Sequence, residues 1–282
     1  MTRSQPVFRS VVIVCAAALA LAACSDDGTE DTTETTPRAG SESTDIVLES
    51  IADDVIVPAY EELVGALSDL HEAVESLCEA PAPAALDQAR TDWRAVDLAW
   101  ARTQALDVGP AMERRLMASL GFEARPEAVT ELLAGDGALD PAALAQEGAA
   151  VRGISAIEVA LFAEGADQLA APDGARRCEY AASATELSLD ASRLVLDDWV
   201  GGFRATFATG VDGSAQSSVS ALLNEVTFAL QLVDDQGLRS LVEAGSADAL
   251  PANRDDGPAG TRVAHLRSTL AGAAAALTGP DG

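Results

Sequence analysis

The stretch RGISAIEVALF, residues 152–162, lies near the middle of the chain and follows a segment rich in Gly, Asp and Pro. Its apolar residues Ile154, Ile157 and Leu161 are three and four positions apart, which is the spacing expected for a helix that is buried on one face. Glu158 falls at the edge of this apolar stripe, where a buried carboxylate needs a partner. Two interpretations stay open: Glu158 pairs with an Arg or caps a backbone group, or it lines a pocket as a ligand or base.

Helical patterns run through most of the chain. The 282 residues are 48% hydrophobic but only 4% aromatic, and Ala and Leu dominate, which favours helices. Pro58 predicts a kink, and Gly201-Gly202 predicts a bend. We expect helices over 45–79, 84–107, 142–169, 175–209 and 214–244, short helices over 110–134, and a last helix after Thr261. The sequence therefore predicts an all-α helical bundle, with two bundle-like halves packed together.

The N-terminus is typical of a secretory signal. Arg3 and Arg9 give it a basic start, and the apolar run over residues 11–20 is too short to span a bilayer stably. The sequence LAAC, residues 21–24, then resembles the cleavage and lipidation site of bacterial lipoproteins. The alternatives are an ordinary signal peptide and a coincidental Cys at this position.

This pattern predicts the domain organisation. We expect a signal peptide over 1–23, a lipidated, disordered tether over 24–44 and a helical domain over 45–279. The tether is almost free of apolar residues, so it cannot build a core. A lipid on Cys24 would hold the protein to the membrane, as a periplasmic or surface lipoprotein of the cell envelope.

The charge balance excludes one class of partner. The chain has 45 acidic residues against 18 basic ones, all Arg, and a formal net charge of −27. Such a protein repels phosphate backbones, so we expect no nucleic acid among its partners.

Four cysteines are present, and two remain after the signal peptide and the lipid are accounted for. Cys78 and Cys178 form an even pair in an oxidising compartment, which favours a disulfide over free thiols.

Catalytic signatures are scarce. His71 and His265 are the two histidines of the chain, and neither stands in a His-Glu-x-x-His or Glu-x-x-His pattern. His71 and Glu75 are four apart, which is more typical of a solvated helix face. Ligands that are oxygen atoms alone favour hard cations, held weakly.

Several short patterns occur in an order that resembles the imelysin family. In chain order they are Val57–Tyr60 (VPAY), Cys78, Trp93, Trp100, Gln104, Gly109-Pro110, residues 152–162, Arg177-Cys178, Trp199 and residues 260–267 (GTRVAHLR). Residues 153–158 resemble the family's Gly-x-His-x-x-Glu motif, with Ser155 in place of the His.

The resemblance implies an all-α fold of two bundle-like halves, with a site where they meet around the motif. It also implies an envelope location and a link to iron uptake, and the family is nominally one of insulin-cleaving metalloproteases. Ser155 removes the imidazole that would be the best metal ligand, so non-catalytic binding is the better expectation for this chain.

We therefore expect an envelope lipoprotein that binds a ligand or a metal, in connection with iron acquisition. Iron or another divalent metal is the expected cofactor, with Glu158 as its ligand. The expected pocket residues are Gly153, Ser155, Trp93, Trp100 and Gln104. The alternatives are a helical scaffold that docks an envelope protein partner at the membrane and, less favoured, a metallopeptidase.

Overall fold

The computed structural model describes residues 41–171, 174–210, 212–234 and 259–279. Within these ranges every regular element is helical, which confirms the predicted all-α fold. The helices are α1 (Ser41–Ile51), α2 (Val57–Glu79), α3 (Pro83–Thr103), α4 (Pro110–Glu113), α5 (Leu116–Leu120), α6 (Pro126–Ala134), α7 (Pro141–Leu144), α8 (Ile154–Phe162), α9 (Ala175–Asp198), α10 (Arg204–Thr209), α11 (Ala215–Leu232) and α12 (Arg262–Thr278).

The predicted signal peptide, the lipidation site at Cys24 and the tether before residue 41 lie outside the described residues. The tether was expected to reach residue 44, but α1 already begins at Ser41. In the part of the chain that the structure describes, no helix has the length and apolar character needed to cross a membrane.

The kink predicted near Pro58 is a widened turn just before it. Residues Ala52–Ile56 form a π-helical turn, in which the Val57 N–H donates to the carbonyl of Ala52, five residues earlier. Pro58 has no N–H to donate, and its ring crowds the carbonyl of residue 54. The extra residue per turn therefore lets the helix axis continue past the proline.

The second helix, α2, lies between α3 and α9 and carries the centre of the core. Its residues Leu63, Leu67, Leu70, Val74 and Leu77 are all 0% exposed. These residues are four, three, four and three positions apart, which places them on one face of the helix. Because burying a Leu contributes about 1.5–3 kcal/mol, this stripe is a major source of the fold's stability.

Two groups of helices surround α2, α3 and α9. The first group consists of α1, α10, α11 and α12, which contact one another in turn. The second group consists of the short helices α4 to α8, which pack on α9 or on each other. The third helix contacts α12 of the first group and α8 of the second. One continuous apolar core runs through both groups, from Leu48 to Ala276.

The continuous helix predicted over 142–169 is wrong. The segment contains α7, a 3-10 turn over Ala149–Val151, α8 and a second 3-10 turn over Ala166–Ala170. The interruption before α8 lies at Gly153, whose φ is 81°. A Cβ there would lie 2.7 Å from the carbonyl oxygen of Leu120, so only glycine fits and the helix begins after it.

The bend predicted at Gly201-Gly202 is confirmed. A π-helical turn over Trp199–Phe203 separates α9 from α10, and Gly202 has a φ of 139° inside it. The helix predicted over 214–244 begins at Ala215. Its residues beyond 234 lie outside the described part of the chain.

The predicted disulfide is confirmed. Cys78 lies in the last turn of α2 and Cys178 in the first turn of α9, with their Cα atoms 5.5 Å apart. The bond joins positions 100 residues apart in the sequence. It therefore ties together two helices of the central packing, both of which contribute to the core.

Replacing Cys78 and Cys178 together with Ser should lower the free energy of unfolding. A crosslink that closes a loop of this length contributes about 3–5 kcal/mol in the chain-entropy model. Denaturant unfolding with and without a reductant measures the effect, and the double variant, insensitive to reductant, is the control. An unfolding midpoint of the wild type that reductant does not change would contradict the prediction.

Candidate functional site

A cavity of about 660 Å³ lies between α3, α8 and α12. The structure brings five of the six expected pocket and metal residues into its wall. They are Trp93, Trp100, Gln104, Ser155 and Glu158. The cavity lies where the two groups of helices meet, since α12 belongs to the first group, α8 belongs to the second and α3 contacts both.

One face of α3 supplies four of the wall residues. Trp93, Asp97, Trp100 and Gln104 are spaced by four, three and four, which places them in one row along a helix. The sequence analysis missed Asp97 as a site residue, although its position between the two tryptophans in this row was the available signal. Asp97 is only 7% exposed.

The two tryptophans contribute both to the core and to the cavity wall. Trp93 is 2% exposed and Trp100 4% exposed. The Trp93 indole N–H donates to the carbonyl of Ile154 over 3.0 Å, and the ring meets Phe162 edge-on at 5.3 Å. This contact fixes α3 against the first turn of α8, and so it also fixes the distance across the cavity.

Glu158 binds a backbone group, as one of the two interpretations expects, and it also lies in the cavity wall. Its Oε1 accepts a hydrogen bond from the backbone N–H of Ala259 over 3.1 Å, and its side chain lines the cavity. Burial raises the pKa of the Glu158 carboxyl, and the nearby negative charge of Asp97 raises it further. The hydrogen bond from Ala259 and the proximity of His265 act in the opposite direction.

Ser155 and Gly153 have separate roles. The Ser155 Oγ lies in the cavity wall and accepts a hydrogen bond from the backbone N–H of Ala124 over 3.1 Å. Gly153 does not line the cavity, and its backbone packs against the end of α5 at Ser119 and Leu120. The glycine therefore positions the motif helix but is not placed to contact a ligand.

His265 is the second residue that the sequence analysis missed. Its Nδ1 lies 2.8 Å from Asp97 Oδ1, although the two residues are 168 positions apart. Its Nε2 lies 3.2 Å from the amide nitrogen of Gln104, whose carbonyl accepts from the Thr269 hydroxyl over 3.3 Å. No local spacing could have revealed a pair that is formed only by the packing of α12 on α3.

The contact with Asp97 assigns one proton of His265. A carboxylate can only accept, so the Nδ1–H of His265 donates the 2.8 Å bond to Asp97 Oδ1. The Thr269 hydroxyl has one proton, which lies within reach of the Gln104 carbonyl at 3.3 Å and of the His265 carbonyl at 3.2 Å. The bonds to Asp97 and Gln104 together hold the imidazole ring in one orientation.

The segment that leads into α12 is held from two sides. Glu158 accepts from the N–H of Ala259, while the Arg94 Nε donates to the carbonyl of the same residue over 2.9 Å. Inside α12, the Ser268 hydroxyl donates to the carbonyl of Leu98 over 2.7 Å. These bonds fix the height and rotation of α12, and hence the place of His265 in the wall.

Glu158→Gln should be at least as stable as the wild type at neutral pH. A raised pKa in the folded state means that stability is lost as the pH rises through that pKa, since the folded protein then carries a poorly solvated charge. The amide still accepts from Ala259, so the charge alone is removed. Thermal unfolding measured as a function of pH should show that the difference in stability between Glu158→Gln and the wild type disappears below pH 4.5. At such pH values Glu158 is protonated in the folded and in the unfolded protein.

The control for this comparison is Glu179→Gln. Glu179 also accepts a backbone N–H, from Leu139 over 3.3 Å, but it lies outside the cavity wall. A wild type that is more stable than Glu158→Gln at neutral pH would contradict the assignment of a buried, destabilising charge.

Gly153→Ala should lower the free energy of unfolding by about 1–3 kcal/mol, because the backbone conformation at this position is essentially restricted to glycine. Gly148→Ala is the matched control, since Gly148 has a φ of −67° and a Cβ there would meet no atom within 4 Å. Denaturant unfolding measures both variants. Equal stabilities would contradict the structural role of Gly153.

The matches with known proteins cover most of the helical region. Residues 56–280 match the Imelysin family model. The fold is similar to that of an imelysin-like protein from Psychrobacter arcticum, with a TM-score of 0.67 and 22% identity over 85% of this chain and 75% of that one. It is also similar to a candidate iron-regulated protein A precursor from Parabacteroides distasonis, with a TM-score of 0.58 and 20% identity over 88% of this chain and 76% of that one. Comparison with curated proteins gave no significant match. Because the family model covers most of its length, this chain belongs to the imelysin family.

Proposed function

We propose that this protein is a non-catalytic, ligand-binding lipoprotein of the bacterial envelope that serves iron acquisition. The observation that carries the proposal is the cavity of about 660 Å³ between α3, α8 and α12. Its size is that of a small-molecule site, and its wall combines aromatic rings with a few convergent polar groups.

The proposed link to iron rests on the imelysin family match and on the similarity of the fold to that of the Parabacteroides protein. The Parabacteroides protein with a similar fold is described as iron-regulated, and the resemblance of the sequence to imelysins implies the same association. The envelope address rests on the N-terminal pattern that ends at Cys24. A lipid on that residue would keep the binding domain close to the membrane, where imported iron has to pass.

A metal held directly by the protein does not fit the described residues. Among them, no group of three or more His, Cys, Asp and Glu side chains lies close enough to hold a metal ion. One oxygen of Glu158 is committed to Ala259, and His265 is committed to Asp97 and Gln104. Of the two kinds of bound species that the sequence predicts, a ligand and a metal, an organic ligand is therefore better supported than a metal ion.

Peptidase activity has little support in the geometry. The Ser155 hydroxyl accepts from a backbone N–H, and His265 bonds to Asp97 and Gln104, so these contacts do not join the serine to the histidine as nucleophile and base. A scaffold function is the stronger alternative. Val263, Leu270 and Leu277 are spaced by seven on α12 and are each more than 40% exposed, which would suit a docked helix.

Native mass spectrometry and elemental analysis of the full-length protein, purified without chelator from iron-limited bacteria, test the function. We expect the wild type and Glu179→Gln to retain a small molecule and Glu158→Gln to lose most of it. The loss follows because Glu158 is a polar group of the wall, whereas Glu179 lies outside it.

Two outcomes would contradict the proposal. One is a wild type that retains no molecule, and the other is equal retention by Glu158→Gln. Either result would favour the scaffold alternative. Stoichiometric iron that is lost in Glu158→Gln would support binding in the cavity, with a bare metal as the ligand.

A further inference from the structure

We infer that the exposed face of α12 binds a second copy of this chain, with the two α12 helices antiparallel and Arg267 of each copy in an acidic cleft of the other. The inference goes beyond the proposed function and does not depend on it, because Glu158 takes no part in the contact. It follows from the side-chain pattern of α12, the charge of that helix and the cleft beside it.

The exposed face of α12 carries two rows of side chains, and the positions in each row are seven apart. The large row is 44%, 41% and 55% exposed and consists of Val263, Leu270 and Leu277. The small row lies beside it, is also exposed and consists of Ala264, Ala271 and Thr278. A repeat of seven keeps each row on one side of a helix, and small side chains allow two helix axes to approach closely. Such a face is suited to pairing with another helix.

The charge of α12 distinguishes it from the other long helices. The chain has a formal net charge of −27, so two copies repel each other over most of their surface. Among the described helices of nine or more residues, α12 alone contains no acidic residue, and it carries Arg262 and Arg267. Two copies therefore approach each other with the least repulsion along α12.

Arg267 lies on the exposed face, between the large row and the small row, and is itself exposed. Within the described ranges no acidic residue forms an ion pair with it. An exposed arginine needs no partner in water, but one that is covered by an apolar contact has to meet an acidic group. A contact through this face therefore requires a carboxylate opposite Arg267.

A cleft of about 530 Å³ supplies that carboxylate. It lies between the C-terminal half of α12, the π-helical turn and the first turns of α2, and its charged residues are Asp54, Glu62 and Arg102. The Arg102 guanidinium forms an ion pair with Glu62 at 3.0 Å, whereas Asp54 is exposed and accepts from the neutral Ser50 hydroxyl over 2.8 Å. The cleft therefore has a net charge of −1, which comes from Asp54.

A two-fold arrangement of antiparallel α12 helices brings Arg267 and this cleft together. Both rows overlap over their full length when the two-fold axis passes beside Leu270 and Ala271. In that register residue 267 of one copy lies opposite residue 274 of the other, and Ala274 lines the cleft. Each copy thus offers both the cation and the acidic cleft, so the contact is self-complementary and closes as a dimer.

Oxidative crosslinking of the full-length protein tests this register, with Ala271→Cys as the probe. Because the two-fold axis passes beside residue 271, the new thiols of two copies face each other, and a mild oxidant should convert most of the variant to a disulfide-linked dimer. Ala118→Cys is the matched control, since Ala118 is exposed on α5 in the second group of helices. The control also reports crosslinking through Cys15 and Cys24, and it should remain largely monomeric on a non-reducing gel.

Sedimentation of the full-length protein over a range of concentrations tests the charge pairing. We expect reversible dimerisation of the wild type. Arg267→Glu and Asp54→Arg should each weaken it at least about tenfold, because each places like charges together at both ends of the contact. The double variant restores the pairing with exchanged charges and should recover most of the wild-type affinity.

Arg193→Glu is the control for net charge, because it makes the same change on the exposed surface of α9 and should leave dimerisation unchanged. Circular dichroism verifies that each variant is folded, and the crosslinking of Ala271→Cys tests the contact without any change of charge.

Three results would overturn the inference. They are a wild type that remains monomeric at every concentration, equal crosslinking of Ala271→Cys and Ala118→Cys, and a folded double variant that associates no more tightly than either single variant. A monomeric wild type would favour an acidic helix of a different protein on this face. None of these results bears on a molecule that is retained by the wild type and lost in Glu158→Gln, so the two proposals fail separately.

Discussion

The hydrogen bond between His265 and Asp97 connects the last helix of the chain to the centre of the third. It spans 168 positions in sequence and 2.8 Å in space. A carboxylate that is 93% buried is stable only with partners, so α12 has to pack at the height where the imidazole meets it. The same packing completes the cavity, because Arg262, His265 and Leu266 of α12 form part of its wall. The site therefore depends on a tertiary contact and not on the motif helix alone.

The position of α3 explains why so much of the site lies on one helix. It contacts α12 of the first group and α8 of the second. The row of Trp93, Asp97, Trp100 and Gln104, which runs along α3 and into the turn that follows it, lines the cavity between them. Trp93 fixes the distance to α8 through its bond to Ile154. The substitution of Ser155 for the histidine of the family motif then has a structural meaning. The serine hydroxyl satisfies a backbone N–H at Ala124, and the imidazole of the cavity comes from His265 on α12.

The sequence was sufficient for those parts of the fold that depend on local pattern. The buried face of α2, the distorted turn before Pro58 and the bend at Gly202 follow from periodicity and backbone chemistry. The pairing of Cys78 with Cys178 follows from the cysteine count. Helical spacing and the family resemblance indicated six candidate site residues, and five of them line one cavity. Local pattern failed over 142–169, where an alanine-rich segment looks helical but Gly153 has to adopt a φ of 81°. It also failed for the pairing of Asp97 with His265, because the two residues lie in distant segments and neither local sequence indicates the other.

The site depends on the hydrogen bond through which the Nδ1–H of His265 donates to Asp97 and holds α12 against α3. Nitrogen-15 NMR of the imidazoles, recorded at mildly alkaline pH, tests this bond directly. The chain has two histidines, so His71→Gln assigns both signals. We predict that the Nδ1 of His265 carries a proton that exchanges slowly with water. An Nδ1 without a proton, or an averaged signal like that of a free imidazole, would contradict this account.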